Sequence, residues 1–137
     1  MATALVPHLV VHGAAKAIAF YTAALGATEV RRMPAEDGVR LMHAHLHIDG
    51  LNFFLCDEFP EHTQEDHKVQ SPEALGGSPV TLHLDVPNCD EAVARFAAAG
   101  GRVVLPPWDA FWGDRYARAV DPFGHTWSFA HRLGESG

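Results

Sequence analysis

The stretch RLMHAHLHI places His43, His45 and His47 at every second residue. On an extended strand such neighbours share a face, about 6.5 to 7 Å apart. Imidazoles so arranged serve one of three chemistries: they line a polar ligand cavity, they coat the wet face of a sheet, or they hold a divalent metal through ring nitrogen lone pairs. Two of them at this spacing can share one metal, whereas three in a row are stretched. The order of preference is therefore cavity lining, then solvated face, then metal. A second group, PPWDAFWGDRYAR, gathers Trp108, Phe111, Trp112, Arg115 and Tyr116. Aromatic area beside a planar guanidinium fork suits a flat or anionic organic ligand, and it equally suits a dimer interface.

Other chemistries lack their residues. There is no Gly-rich phosphate loop, no HExxH and no Ser-His-Asp order. The two cysteines, Cys56 and Cys89, are far apart and offer neither a disulfide framework nor a paired-thiol metal site. Asp114 and Arg115 are placed to form an ion pair, and Asp121 in DPFG reads as a turn former. Lys and Arg number 10 against 17 Asp and Glu. The resulting charge of −7 argues against nucleic acid as a partner. Ten histidines would carry that −7 toward +3 if all were protonated, so surface charge should respond to mild acid. The chain shows neither an apolar run of membrane-spanning length nor an export-signal layout, so no membrane partner and a cytoplasmic location are expected.

The elements that must position these residues come in two copies. PHLVVHGAAKAIAFYTAALGATEV, from Pro7, reads as strand, helix from about Ala14 to Leu25, turn at Gly26, and strand. VTLHLDVPNCDEAVARFAAAGGRVV, from Val80, reads the same way. A shift of 75 superposes Leu9 on Leu84, Val11 on Val86 and Tyr21 on Phe96. Each copy continues into a hairpin, VRLMHAHLHI–DG–LNFFLCD in the first and RYARAV–DPFG–HTWSFAHR in the second, and there a shift of 74 pairs Phe53 with Trp127. On the strand from Val39 to Ile48, Met42, Ala44, Leu46 and Ile48 are expected under the helix and the histidines on the opposite face. The predicted fold is α+β, two βαβββ modules in tandem forming paired curved mixed sheets around a cavity. Residues 1–137 then form a single domain: module 1 over about 5–57, a connector over 58–78, and module 2 over 79–132. In the connector SPEALGG carries the marks of one short helical turn, and a disordered linker is the alternative.

A duplicated module of this order, with AFYTAALG on its first helix and DPFGHTW at its last turn, resembles the vicinal-oxygen-chelate superfamily, which spans glyoxalase I, fosfomycin-resistance transferases, extradiol dioxygenases and bleomycin-binding proteins. HAHLHIDG, CDEFP and FWGDRY resemble its PhnB-like branch. The resemblance covers nearly the whole chain. It implies a cavity enclosed by the two sheets, and in metal-using relatives a divalent metal held from the first strand of each module and the last strand of a module. Carried over without a gap, those positions fall on Val6, Thr81 and Ser128, with Phe54 at the first-module counterpart of Ser128. These side chains lack the nitrogen, thiolate and carboxylate donors of such sites.

His8 and His83 lie two residues beyond Val6 and Thr81 and are equivalent under the 75-residue shift. They read as polar wall residues, or alternatively as a relocated metal site helped by His43 or His45. The expectation is a small-molecule-binding homodimer with no metal or other cofactor, its ligand-binding residues His8, His43, His45, His83, Trp108, Phe111, Trp112 and Arg115. The alternative is a lyase or dioxygenase using a divalent metal on a relocated histidine set.

Overall fold

AAKAIAFYTAAL is helical because its apolar side chains recur at three- and four-residue spacing, and the computed structural model, which describes residues 1–62 and 69–134, folds it as α1 (Ala14–Leu25). Around it lie β1 (His8–Val11), β2 (Thr28–Pro34), β3 (Leu41–Ile48) and β4 (Leu51–Asp57), in the sheet order β1-β4-β3-β2. Strand β1 runs parallel to β4, and the other pairings are antiparallel. Ala14, Ala17, Ile18, Tyr21 and Ala24 turn inward from α1 onto Ala44, Leu46, Phe53 and Leu55, all of them buried. The Tyr21 and Phe53 rings meet edge to face at 5.5 Å. Asp49 (φ 49°) and Gly50 (φ 86°) make the β3–β4 hairpin turn, both in the left-handed region that a two-residue primed turn requires.

The second copy repeats the order with β5 (Thr81–Asp85), α3 (Cys89–Ala98), β6 (Arg102–Asp109), β7 (Asp114–Val120) and β8 (Thr126–Arg132), in the sheet order β5-β8-β7-β6. Asn88 caps α3 by accepting from the Glu91 N–H at 3.1 Å. Cys89, Val93 and Phe96 bury the helix against the sheet, where Phe96 meets Phe129 at 5.4 Å. Asp121 closes the DPFG turn as expected, accepting from the N–H groups of Phe123 and His125 and from the Trp127 indole.

The fold is thus α+β, two tandem βαβββ modules, each with one helix on a four-stranded mixed sheet. The chain forms two compact units, Met1–Gly77 and Ser78–Gly137. Of the expected connector, residues 63–68 lie outside the described residues. Its SPEALGG segment forms α2 (Pro72–Leu75), capped by Ser71, whose own N–H and hydroxyl donate to Glu58.

One expectation is corrected. Met42 does not pack under the helix but is exposed, and Leu41 is buried in its place. Met33 pairs with His43 and the next residue, Pro34, with Leu41, so Met42 is an extra residue bulged out of β3. Beyond a bulge the alternation slips by one, which brings Leu41 onto the face of Ala44 and Leu46.

Candidate functional site

Both sheets turn one face to their helix and the other away from it, and the residues of chemical interest gather on the faces away from the helices. In the first unit β1 and β4 pair His8 with Phe54, and β4 pairs Phe54 in turn with His45. The Phe54 ring is the hub: His43 lies 4.9 Å, His45 5.1 Å and His8 6.0 Å from it, all edge to face, and His8 meets His43 at 5.9 Å. His45 is fixed by Asn52, with 2.8 Å between Nε2 and Oδ1. Burial, with smaller contributions from the neighbouring His8, Arg31 and His45, lowers the pKa of His43 below its ordinary value. Nearer the other end of β4, Cys56 and Met42 border a cleft of about 510 Å³ that also takes in Arg40, Phe59 and Glu61.

In the second unit the ladder sets two rows across the sheet. His83, Ser128 and Arg118 are cross-strand partners, and so are Asp85, Ala130 and Tyr116, with Trp108 next to Tyr116. His83 lies 2.7 Å from the Ser128 hydroxyl through Nδ1 and 2.8 Å from Asp85 through Nε2. The carboxylate can only accept, so in the neutral imidazole Nε2 carries the proton and Nδ1 is left to accept from the Ser128 hydroxyl. A Ser-His-Asp chain therefore exists in space, contrary to its absence from the linear order. It is not built for nucleophilic attack, because Ser128 sits in mid-strand at 2% exposure, and its effect is to fix the imidazole. The His83 ring stacks on Tyr116 at 6.3 Å and 16°. Trp112 meets Tyr116 at 5.4 Å, Trp108 at 5.9 Å and Phe111 at 5.0 Å, which makes the expected aromatic group contiguous. Phe111 is 91% exposed.

One reading of this loop changes. The Asp114–Arg115 pair is not formed: Asp114 accepts from the Trp112 indole and lies 3.6 Å from Arg132. Arg115 instead binds Asp90 through Nε and Nη2, both at 3.0 Å, and Asp109 through Nη1 at 3.1 Å. Asp90 belongs to the first turn of α3, so this guanidinium ties the hairpin to the helix, with three of its five donors engaged.

Sequence reasoning passed over Arg118. Its Nη2 donates to Thr81 Oγ1 at 2.6 Å, and its Nε is buried with no hydrogen-bond partner among the described residues. The signal was present in RYARAV, where Ala117 and Ala119 supply the small helix-facing side and Tyr116 and Arg118 must share the other.

The model of the Glyoxalase/Bleomycin resistance protein/Dioxygenase superfamily matches residues 4–129. The chain belongs to that superfamily. It is 46% identical over 132 residues to an uncharacterized protein of Mycobacterium bovis, an alignment covering 96% of this chain and 85% of the relative. Its fold is that of TioX from Micromonospora sp. ML1, with a TM-score of 0.74, 24% identity and coverage of 96% and 100% of the two chains. It is also that of a PhnB protein from Bacillus cereus, with a TM-score of 0.68, 14% identity and coverage of 93% and 98%.

The divalent metal of metal-using superfamily members does not fit the residues at the inherited positions. Thr81 accepts a hydrogen bond from a guanidinium, Ser128 spends its hydroxyl on His83, and Phe54 offers only carbon. A fixed positive charge 2.6 Å from Thr81 Oγ1 opposes a second cation there. Among the described residues no three His, Cys, Asp or Glu side chains converge as a metal-holding group.

Proposed function

We propose that this chain is a small-molecule-binding protein of the superfamily that works without the usual metal site, as a cytoplasmic homodimer. The observation that carries the reading is Arg118 bonded to Thr81: a guanidinium occupies the surroundings in which metal-using relatives would hold their ion. The ligand-contacting residues are His8, His43 and His45 on the first sheet and His83, Trp108, Phe111 and Trp112 on the second. The histidines present polar ring edges beside aromatic area, the composition of a ligand wall. Arg115 joins this set with the two guanidinium donors that Asp90 and Asp109 leave over. Among the described residues no helix is long and apolar enough to cross a membrane.

The test is elemental analysis of protein purified without chelator and dialysed, together with native mass spectrometry of protein taken directly from cells. Less than a tenth of an equivalent of transition metal, with a small-molecule adduct on the polypeptide, is the expected result. Stoichiometric metal that disappears in His8→Ala or His83→Ala would overturn it.

A further inference from the structure

We propose that the helix-distal face of the second sheet is an anion subsite centred on Arg118, taking a flat aromatic or conjugated molecule that carries a carboxylate. The inference rests on the small-molecule reading above and names the ligand's chemical class.

Arg118 is half-buried on the sheet face with its Nε fully buried, and a guanidinium partly withdrawn from water is ordinarily balanced by a carboxylate, because desolvating a cation without a counter-charge is costly. Arg118 has no acidic partner among the described residues; its hydrogen bond goes to the neutral hydroxyl of Thr81. The carboxylates nearest in the pattern are engaged elsewhere, Asp85 by His83 and Asp114 by Trp112 and Arg132. The buried Nε–H donates to no group among the described residues, and leaving a buried donor unpaired is costly. Satisfying it requires an acceptor brought from outside the fold, and an anion supplies both the acceptor and the missing charge.

The surroundings specify the rest of the molecule. Tyr116 is two residues from Arg118 on the same face, with His83 stacked upon it and Trp112 against its edge, while Trp108 is its cross-strand partner. Same-face neighbours stand about 7 Å apart, so a carboxylate held on the guanidinium leaves a ring attached to it alongside Tyr116. A benzoate-like molecule would place its carboxylate on the guanidinium and its ring among Tyr116, Trp108 and Trp112. Arg118 then does with a fixed organic cation what a metal would do for a pair of substrate oxygens.

The experiment is calorimetric titration, with tryptophan fluorescence as a second signal, using benzoate, its neutral isostere benzamide and inorganic phosphate on the full chain. Saturable benzoate binding at least about tenfold tighter than benzamide is expected, with phosphate weaker for want of a ring. Arg118→Met should erase the preference of benzoate over benzamide. Arg118→Lys should keep part of it, since a point charge replaces a fork. Tyr116→Leu should weaken benzoate and benzamide alike. Circular dichroism melts establish that each variant is folded, and the lysine variant carries the test if the methionine variant is not. Equal binding of benzoate and benzamide, or an unchanged preference in the Arg118 variants, overturns the anion subsite while leaving a small-molecule binder standing. No saturable binding of any probe overturns the subsite, and the mass-spectrometric adduct then decides the broader reading independently.

Discussion

Single residues do unequal work here, and the two that start the helices are instructive. Asp57 is buried and accepts three backbone N–H groups, from Gly13 at 2.8 Å, Ala14 at 2.9 Å and Leu41 at 2.7 Å. It caps α1 from 43 residues away, where Gly13 offers no side chain of its own. Its counterpart under the 74-residue shift is His131, whose Nδ1 accepts the Cys89 N–H at the start of α3 at 2.7 Å. Asp57→Ala strands three donors and should cost about 3 kcal/mol or more, whereas His131→Ala strands one and should cost about 1 kcal/mol; urea unfolding midpoints measure both. His43 makes a different prediction. Its folded pKa lies below the ordinary 6.5, chiefly through burial, so in acid the unfolded chain takes the proton first. Stability therefore falls as pH drops below about 6.5 and levels off below the folded value. His43→Asn should remove that part of the loss between pH 7 and pH 5, and an unchanged loss in the variant would refute it.

Among the elements, packing is close where α3 returns to β6. A Cβ built on Gly101 would lie 2.2 Å from the Phe96 ring, so the chain can pass the end of its own helix only without a side chain there. Gly101→Ala should therefore destabilise by about 1–3 kcal/mol and displace Phe96 from Phe129, a change visible in near-ultraviolet circular dichroism. The same close fit does not surround the β3 bulge, where Met42 faces outward. The elements themselves were plain in the sequence: the helix from Ala14 to Leu25 and the two hairpins lie where the apolar periodicities and the DG and DPFG turns placed them. The bulge was not plain, because a strand shows its alternation in sequence while the extra residue becomes evident only against the partner strand that skips it.

At the scale of the molecule, the formal charge of −7 and the exposed aromatic loop are the features that meet other molecules. The proposed homodimer is expected to draw on that loop, since Phe111 exposes 91% of its surface. Sedimentation velocity should then show a dimer that Phe111→Glu shifts toward monomer, and an unshifted dimer would assign the contact to another surface. What the sequence by itself determined is what local spacing controls: the duplicated βαβββ order, the turns, and the grouping of His43 with His45 or Tyr116 with Arg118 on one strand face. The tertiary structure decided which charges meet. Arg115 reaches Asp90, 25 residues away, in preference to adjacent Asp114, and His83 joins Ser128, 45 residues away, across the parallel β5–β8 pair. Neighbours in sequence on a strand point to opposite faces, so their charges cannot meet. Only the register of strands distant in the chain brings partners onto the same face and leaves the Nε of Arg118 without one among the described residues.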